Sequence, residues 1–211
     1  MTLEAFIAKV AGPLPGVEGQ RLMMPSYRNA VEKEAVMALS PRKAGVVMHV
    51  FQGDEGLEVL YMKRASYNGT HSAQISFPGG ELEDFDEHLK AAAFRECEEE
   101  VGLRPQAQSF LRPMTWLYIP PSNFYVEPFL SCAPSPPELT IDTVEVDRVF
   151  SIPLARLLDD SLVQPTRIET TYGTMNVPAY HWDGEIIWGA TAMMTSELVA
   201  LVRDAYICVL I

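Results

Sequence analysis

Three glutamates, Glu96, Glu99 and Glu100, stand close together in a stretch with helical character. At about 100° per residue they fall within one sector of roughly 100°, whereas Glu98 points elsewhere. Such crowding costs about 0.2–0.5 kcal/mol per like-charged pair, and the last turn of a helix favours cations instead. Carboxylate oxygens are ligands that Mg²⁺ prefers, together with waters and substrate phosphates. The pattern therefore indicates a divalent metal site, with a solvated acidic face balanced by neighbouring basic residues as the alternative.

The helix that presents these acids is predicted over residues 86–101, and Gly102 is the expected residue after its last turn. Ala93, Cys97 and Val101 recur every four residues and form an apolar ridge beside the acidic sector. We therefore expect the helix to bury this ridge against a sheet and to hold the glutamates at the edge of that contact.

Apolar periodicity and turn residues place the other elements. The predicted helices cover residues 2–11, capped by Thr2, then 153–159, and then 190–205 with Thr191 or Thr195 as the cap. The predicted strands form a hairpin over 44–63, the segments 74–77, 110–118 and 125–130, and a second hairpin from 167–172 and 175–182. Strands that alternate with two or three helices predict an α/β or α+β fold with a mixed sheet.

The composition is that of one well-cored globular domain, with or without a small appendage, because 48% of the 211 residues are apolar and 21% are charged. It excludes a disordered, collagen-like or disulfide-stapled chain. Apolar runs are too short for a membrane span, and residues 1–12 lack the features of a signal peptide. Cys97, Cys132 and Cys208 are odd in number and form no C-x-x-C pair, so we expect core thiols and a reducing, cytoplasmic location.

Acidic residues outnumber basic ones by 28 to 16, which gives a net charge of −12. A field of this sign repels polyanions, so nucleic acid is not an expected partner. No membrane partner is expected either, because the apolar runs are short. A phosphate ester would need a divalent metal or a local basic cluster at its binding site. Serine-triad, P-loop and Rossmann interpretations gain no support, since G-x-S-x-G, G-x-x-x-x-G-K-[ST] and G-x-G-x-x-G are missing from the sequence.

The segment from Gly80 to Leu103 resembles the Nudix box, G-x5-E-x7-R-E-U-x-E-E-x-G-U, in which U is a bulky apolar residue. The second half of the pattern is matched, with Cys97 at the first U, by Arg95, Glu96, Glu99, Glu100, Gly102 and Leu103. The first half is one residue longer than the pattern. Counting from Gly80 puts Asp86 at the first acidic position, and counting back from Arg95 puts Glu87 there, so the pairing partner of Arg95 is open.

A second resemblance, to the Nudix enzymes that hydrolyse coenzyme A, extends upstream of the box. Their motif resembles L-L-T-x-R-S-x-x-L-R-x-H-x-G-Q-(I/V)-x-F-P-G-G, and this chain offers residues 60–66, His71 and residues 74–80 in matching register. Residues 146–154 and 187–192 also look like that branch. The chain departs from the motif at Asn68, Gly69 and Ala73, which stand for Leu, Arg and Gly.

The resemblance implies a Nudix α/β/α sandwich with a mixed β-sheet. Residues 44–206 would form the Nudix hydrolase domain, residues 1–43 an N-terminal helix and extension that packs on the core, and residues 207–211 an apolar C-terminal tail.

The resemblance also implies roles for individual residues. Mg²⁺ or Mn²⁺ would be held by the carbonyl of Gly80 and the carboxylates of Glu96, Glu99 and Glu100, and Arg95 would orient a glutamate by ion pairing. The proposed substrate-binding residues are Arg64, His71, Gln74 and Phe77. The general base is open among Glu99, Glu100 and Glu145.

The implied activity is hydrolysis of the diphosphate linkage of a small nucleoside diphosphate derivative. Coenzyme A or a related species would be cleaved to 3′,5′-ADP and 4′-phosphopantetheine. The alternatives are a Nudix hydrolase for ADP-ribose, NADH or another nucleoside diphosphate derivative, and a non-catalytic Nudix-fold ligand sensor. The protein is expected to be a monomer or a homodimer.

Overall fold

The computed structural model describes residues 1–26, 31–66, 73–170 and 173–207. The predictions that involve Asn68, Gly69, His71, Cys208 and the tail 208–211 lie outside these residues. None of the helices in the described part of the chain has the length and apolar character that a bilayer crossing requires.

Six α-helices and eleven strands make up the described fold, together with short 3₁₀ turns. The helices are α1 (Leu3–Val10), α2 (Val17–Gln20), α3 (Lys33–Ala38), α4 (Leu89–Val101), α5 (Leu154–Leu157) and α6 (Gly189–Ile207). The strands are β1 (Arg42–Gly53), β2 (Gly56–Arg64), β3 (Ile75–Ser76), β4 (Gly79–Glu81), β5 (Ser109–Pro113), β6 (Leu117–Ile119), β7 (Phe124–Ala133), β8 (Val146–Pro153), β9 (Val163–Thr170), β10 (Gly173–Trp182) and β11 (Glu185–Ile187).

The main sheet has eight strands, with the central order β3-β2-β1-β7-β5. Strand β4 also pairs with β1, β6 with β7, and β8 with β2. Strands β1 and β7 run parallel, and every other described pair in this sheet is antiparallel. The mixed sheet predicted from the sequence is therefore confirmed. A smaller antiparallel sheet has the order β11-β10-β9.

Alternating residues of β1 face two separate cores, as the two-residue period of a strand requires. Val47 and Phe51 pack with the ridge of α4 formed by Ala93, Cys97 and Val101, all of which are buried. Met48 and Val50 belong to the opposite core, which also contains residues of α1 and α6. Helices thus cover both faces of the sheet, and the chain has the predicted α/β/α architecture.

Helix α4 lies unusually close to β1 because Gly45 has no side chain. A Cβ at Gly45 would come within 2.4 Å of the carbonyl oxygen of Leu89 and 2.9 Å of the Ala93 Cβ. Near its start, β1 pairs with β4, and this pairing sets Gly45 opposite Gly80. This close packing brings the polar side of α4 to the glycines of β4.

The N-terminal segment packs on the core on the α6 side. The side chain of Thr2 caps α1 as predicted, by accepting a hydrogen bond of 3.2 Å from the backbone N–H of Ala5. Phe6, Val10 and Met23 are buried in the core that contains α6. The division of the chain at residues 43 and 206 stays a prediction.

Helix α4 begins at Leu89, three residues later than the sequence pattern predicts. The His88 side chain caps it, with Nδ1 accepting a hydrogen bond of 3.0 Å from the backbone N–H of Ala91. Asp86 lies before the helix and is bonded to Arg95 instead. At the other end Gly102 adopts the left-handed conformation with φ of 73°, as predicted.

The prediction that Thr191 or Thr195 caps the last helix was wrong, because α6 begins at Gly189 and contains both threonines. The Thr191 hydroxyl donates to the carbonyl of Ile75 at 3.0 Å, and the Thr195 hydroxyl donates to the carbonyl of Thr191 at 2.9 Å. The predicted strand 110–118 is split into β5 and β6. Strands β4, β8 and β11 were not predicted, and the sequence pattern predicted the end of the preceding strand at residues 78–80, where β4 begins.

Candidate active site

A cavity of about 1440 Å³ opens beside the polar side of α4. Most of the residues predicted to form the site line it, namely Arg64, Gln74, Phe77, Gly80, Glu96, Glu100 and Glu145. Arg95 and Glu99 do not line the cavity, but Arg95 donates hydrogen bonds both to Glu96 of the wall and to Glu99. His71 is outside the described residues. The fold therefore brings together segments that lie far apart in the sequence.

Glu100 is the most buried acid of the cluster, with 2% of its surface exposed. One carboxylate oxygen accepts a hydrogen bond of 2.8 Å from the backbone N–H of Gly79, and the other accepts one of 3.1 Å from Arg64. Burial raises the pKa of Glu100 to about 7, although these two contacts act in the opposite direction. Glu96 and Glu145 raise its pKa further through like-charge repulsion.

Arg95 connects three carboxylates. It binds Asp86 through two hydrogen bonds, and its Nη1 atom donates to Glu96 at 2.7 Å and to Glu99 at 3.0 Å. The carboxylate of Asp86 is the main cause of the raised Arg95 pKa. Glu87 is exposed, so Asp86 occupies the acidic position that the sequence left open between the two.

The two glycines of β4 allow close contacts that no other residue would permit. Gly79 has φ of 144°, and a Cβ there would lie 2.3 Å from the carbonyl oxygen of Gly45. A Cβ at Gly80 would lie 2.5 Å from the carboxyl carbon of Glu96. Glu96 is therefore held directly against the backbone of Gly80.

Strand β8 brings Glu145 to the site. Its pairing with β2 sets Val146 opposite Arg64, and the carbonyl of Glu145 accepts a hydrogen bond of 2.8 Å from Ala65. The guanidinium of Arg64 then lies 3.8 Å from the Glu145 carboxylate and 3.1 Å from that of Glu100. Arg64 thus bridges an acid of the box and an acid outside it.

The described part of the loop that follows β2 has a left-handed residue at a position where the coenzyme A motif has glycine. Ala73 stands where the motif has glycine, and its φ of 56° lies in the left-handed region that glycine adopts without strain. Gln74 follows and lines the cavity. Phe77 is 1% exposed and stacks on Tyr61 with ring centroids 4.9 Å apart, so it forms the base of the cavity wall.

Sequence reasoning missed an apolar part of the wall. It comes from the N-terminal segment, from the β6–β7 connection and from the start of α6, and it includes Pro25, Ile119, Phe124, Trp188 and Met194. Only the resemblance over 187–192 pointed to any of these residues. The others share no motif, because tertiary packing alone brings them together.

No three His, Cys, Asp or Glu side chains converge as a preformed metal cluster within the residues described. Glu96 and Glu99 are turned towards Arg95, and Glu100 is bonded to Gly79 and Arg64. The donor chemistry nevertheless fits Mg²⁺ or Mn²⁺, because Glu96, Glu100 and Gly80 present hard oxygen atoms on the wall of one cavity. Five carboxylates share this region with two arginines, so an added cation is electrostatically favoured.

Comparison with known proteins supports the family resemblance. The family model of the NUDIX domain matches residues 40–170. The chain is 32% identical over 166 residues to a protein of Cronobacter sakazakii named uncharacterized Nudix hydrolase NudL, a match that covers 76% of this chain and 83% of that one.

Solved structures show the same fold at low sequence identity. A NUDIX hydrolase from Alicyclobacillus acidocaldarius aligns with a TM-score of 0.52 and 17% identity, over 76% of this chain and 91% of that one. The Nudix hydrolase RenU from M. smegmatis aligns with a TM-score of 0.50 and 12% identity, over 81% of this chain and 88% of that one. With the family model, the NudL match and the site geometry in agreement, the chain belongs to the Nudix family and is a Nudix-type pyrophosphohydrolase.

Proposed function

We propose that this protein is a metal-dependent hydrolase that cleaves the diphosphate linkage of coenzyme A or a related coenzyme A species. The observation that carries the proposal is the position of Glu96 and Glu100 beside Gly80, on the wall of a cavity of about 1440 Å³. That volume exceeds what a diphosphate group needs and leaves room for the organic groups on both of its sides.

The charge of the site explains why a metal is required. A diphosphate would be repelled by the carboxylates of the site unless divalent cations intervened. Glu96, Glu99 and Glu100, with the carbonyl of Gly80, would hold Mg²⁺ or Mn²⁺. A bound ion of this kind neutralises phosphate charge and lowers the pKa of water.

The residues of the chain have separate tasks in this proposal. Arg95 holds Asp86, Glu96 and Glu99 in fixed positions. Arg64 faces the cavity and can donate to a phosphate oxygen, which is a charge-assisted contact. We assign proton acceptance to Glu145, because it lines the cavity and stays half-exposed, whereas Glu100 is buried between two donors.

Two features favour coenzyme A as the substrate class. The motif over 60–66 and 74–80 supplies Arg64, Gln74 and Phe77 to the cavity wall. The backbone at Ala73, where the motif has glycine, also adopts the left-handed conformation that glycine favours. Gly69 stands where the coenzyme A motif has arginine. This departure favours a different nucleoside diphosphate derivative, such as ADP-ribose or NADH, as the second candidate substrate. We further propose a cytoplasmic location, because Cys97 and Cys132 are buried free thiols.

The test is a substrate panel with Mg²⁺ or Mn²⁺, containing coenzyme A, dephospho-coenzyme A, ADP-ribose, NADH and diadenosine polyphosphates. We expect the highest kcat/KM for a coenzyme A species, with 3′,5′-ADP and 4′-phosphopantetheine identified as products by mass. Preference for ADP-ribose or NADH would establish the second candidate. Tight metal-dependent binding with no product would indicate a ligand sensor.

Matched glutamine variants separate the roles of the acids. Glu96→Gln, Glu99→Gln and Glu100→Gln should each reduce turnover by about 10²-fold or more, because each removes a metal-ligand charge. Glu98→Gln, on the exposed side of the same helix, is the control and should retain full activity. Glu145→Gln should lower kcat and leave the metal dependence unchanged. Normal turnover of Glu99→Gln would contradict the metal assignment.

A further inference from the structure

Glu197, in the middle of α6, is a fully buried carboxylate outside the acidic cluster of α4, with 0% of its surface exposed. No lysine or arginine of the described ranges lies within ion-pair distance of it. A buried carboxylate without a cationic partner is expensive to maintain. Burial accordingly raises the pKa of Glu197.

Neutral donors from two distant segments satisfy this carboxylate. The backbone N–H of Thr115 donates to one oxygen at 3.3 Å, and the Thr115 hydroxyl donates to the other at 2.5 Å. The side-chain amide of Gln20 also donates to the carboxylate, at 3.3 Å. Each of these contacts joins α6 to a part of the chain that lies far away in the sequence.

The N-terminal segment fits closely against α6 at this point. The hydroxyl of Ser196 donates to the carbonyl of Gly19 at 2.6 Å. A Cβ at Gly19 would lie 3.1 Å from the Cα of Glu197, so the two backbones are in near contact. Gln20 also donates to the carbonyl of Thr115, which closes the network.

All three segments that meet at Glu197 continue into the cavity wall. Pro25 follows Gln20, Ile119 follows Thr115, and Met194 precedes Glu197 by one turn of α6. They form the apolar part of the wall, whereas the acids stand on α4 and in the segment before β8. The carboxylate of Glu197 therefore joins three wall segments through hydrogen bonds and has no contact with the acidic cluster.

We propose that Glu197 is a positioning residue for substrate recognition, which sets the apolar wall of the cavity by joining the N-terminal segment, the Thr115 segment and α6. This inference rests on the proposed hydrolase function. It assigns to residues 16–25, upstream of the part matched by the Nudix family model, a share in substrate selection.

The experiment compares Glu197→Ala with Glu197→Gln in the full chain, using the substrate that the wild type hydrolyses best. Alanine leaves the donors of Gln20 and Thr115 unpaired, so we expect KM to rise about tenfold and kcat to change less than threefold. Glutamine keeps the shape and one acceptor oxygen, and its amide can donate to the Thr115 hydroxyl. It should restore KM to within about threefold of the wild type.

A destabilised variant on the opposite face of the sheet provides the control. Ser131→Ala removes two buried hydrogen bonds, with His49 and Gln108, in the core on the α4 side, and Ser131 belongs to none of the three segments that meet at Glu197. It should lower Tm without changing KM. The concentration of Mn²⁺ that gives half-maximal activity should be the same in all of these variants.

The outcomes separate the inference from the proposed function. An active wild type with equal KM in Glu197→Ala and Ser131→Ala, at similar losses of Tm, would overturn the positioning role alone. A wild type that hydrolyses none of the substrates would overturn both. If Glu197→Ala does not fold, Thr115→Val removes one donor from the same network, and an unchanged KM in that variant would also overturn the inference.

Discussion

Arg95 holds Asp86 through two hydrogen bonds, of 3.1 Å from Nε to Oδ1 and of 2.8 Å from Nη2 to Oδ2. The pair ties the loop before α4 to the middle of that helix, and the pKa of Asp86 is lowered chiefly by its hydrogen bonds with Arg95. The same guanidinium reaches Glu96 and Glu99, so the geometry of the acidic cluster depends on this contact.

Asp86→Asn should therefore reduce both stability and activity. Loss of a charge-assisted contact to a side chain that is 4% exposed should cost about 1–3 kcal/mol in the free energy of unfolding. Glu87→Gln is the matched control, because Glu87 is adjacent and exposed, and it should behave as the wild type. Urea unfolding and the initial rate measure the two effects. Equal behaviour of both variants would show that the Asp86 contact is dispensable.

Gly80→Ala should weaken metal activation while the fold is kept. The backbone at Gly80 is not in the left-handed region, but the added Cβ would lie 2.5 Å from the Glu96 carboxyl carbon and would displace that side chain. We expect the Mn²⁺ concentration for half-maximal activity to rise about tenfold or more. Gly79→Ala should fail to fold, since its Cβ would meet the β1 backbone. Unchanged metal activation in Gly80→Ala would contradict the placement of Glu96.

Ala73→Gly should stabilise the protein. Alanine at φ of 56° strains the folded state by about 1–2 kcal/mol, and glycine removes this strain. Glycine also raises the backbone entropy of the unfolded chain, which offsets about 0.5–1 kcal/mol of that gain in stability. A net gain of roughly 0.5–1 kcal/mol is expected from thermal unfolding. Ala91→Gly, within α4, is the opposite control and should lose about 1 kcal/mol. Equal losses in the two variants would contradict the strained backbone at Ala73.

His49 should make the protein sensitive to acid. Ser131 donates its hydroxyl proton to Gln108 at 2.6 Å, so Nδ1 of His49 must be the donor in its 2.9 Å contact with Ser131. Its Nε2 atom is buried and has no hydrogen-bond partner among the described residues. Burial lowers the pKa of His49 to about 4 from its ordinary value of 6.5.

The folded state therefore resists protonation of His49, whereas the unfolded chain binds a proton as the pH falls below 6.5. The stability that neutral His49 provides is complete above pH 6.5 and is lost as the pH falls through about 4, a change of about 3 kcal/mol. His49→Asn should remove this dependence, so the advantage of the wild type over the variant should shrink between pH 7 and pH 4. Urea unfolding across that range measures it, and a constant difference would refute the assignment.

Local patterns predicted the elements that carry the acids. The ridge of Ala93, Cys97 and Val101 has helical spacing, and Gly102 has the residue type that ends a helix, so α4 could be located from the sequence. The start of α4 was harder to place, because Asp86 also suits a helix N-terminus. Its pairing with Arg95, nine residues further on, became visible only in three dimensions.

The rest of the site depends on contacts that have no local signature. Glu145 reaches Arg64 because β8 pairs with β2. The register of that pairing cannot be predicted from the sequence of either strand. The network around Glu197 joins α6 to Gln20 and Thr115 through neutral donors, and such donors occur throughout any sequence. Only the packing of the whole chain selects among them.

The burial of Phe6, Val10 and Met23 against the core of α6 has a practical consequence for work on this protein. A truncated chain limited to residues 40–170 would lack the N-terminal segment and α6, which cover one face of the main sheet, and would expose that apolar face to water. We expect such a fragment to aggregate during expression, because the recognisable enzyme signature and the cooperative folding unit have different boundaries.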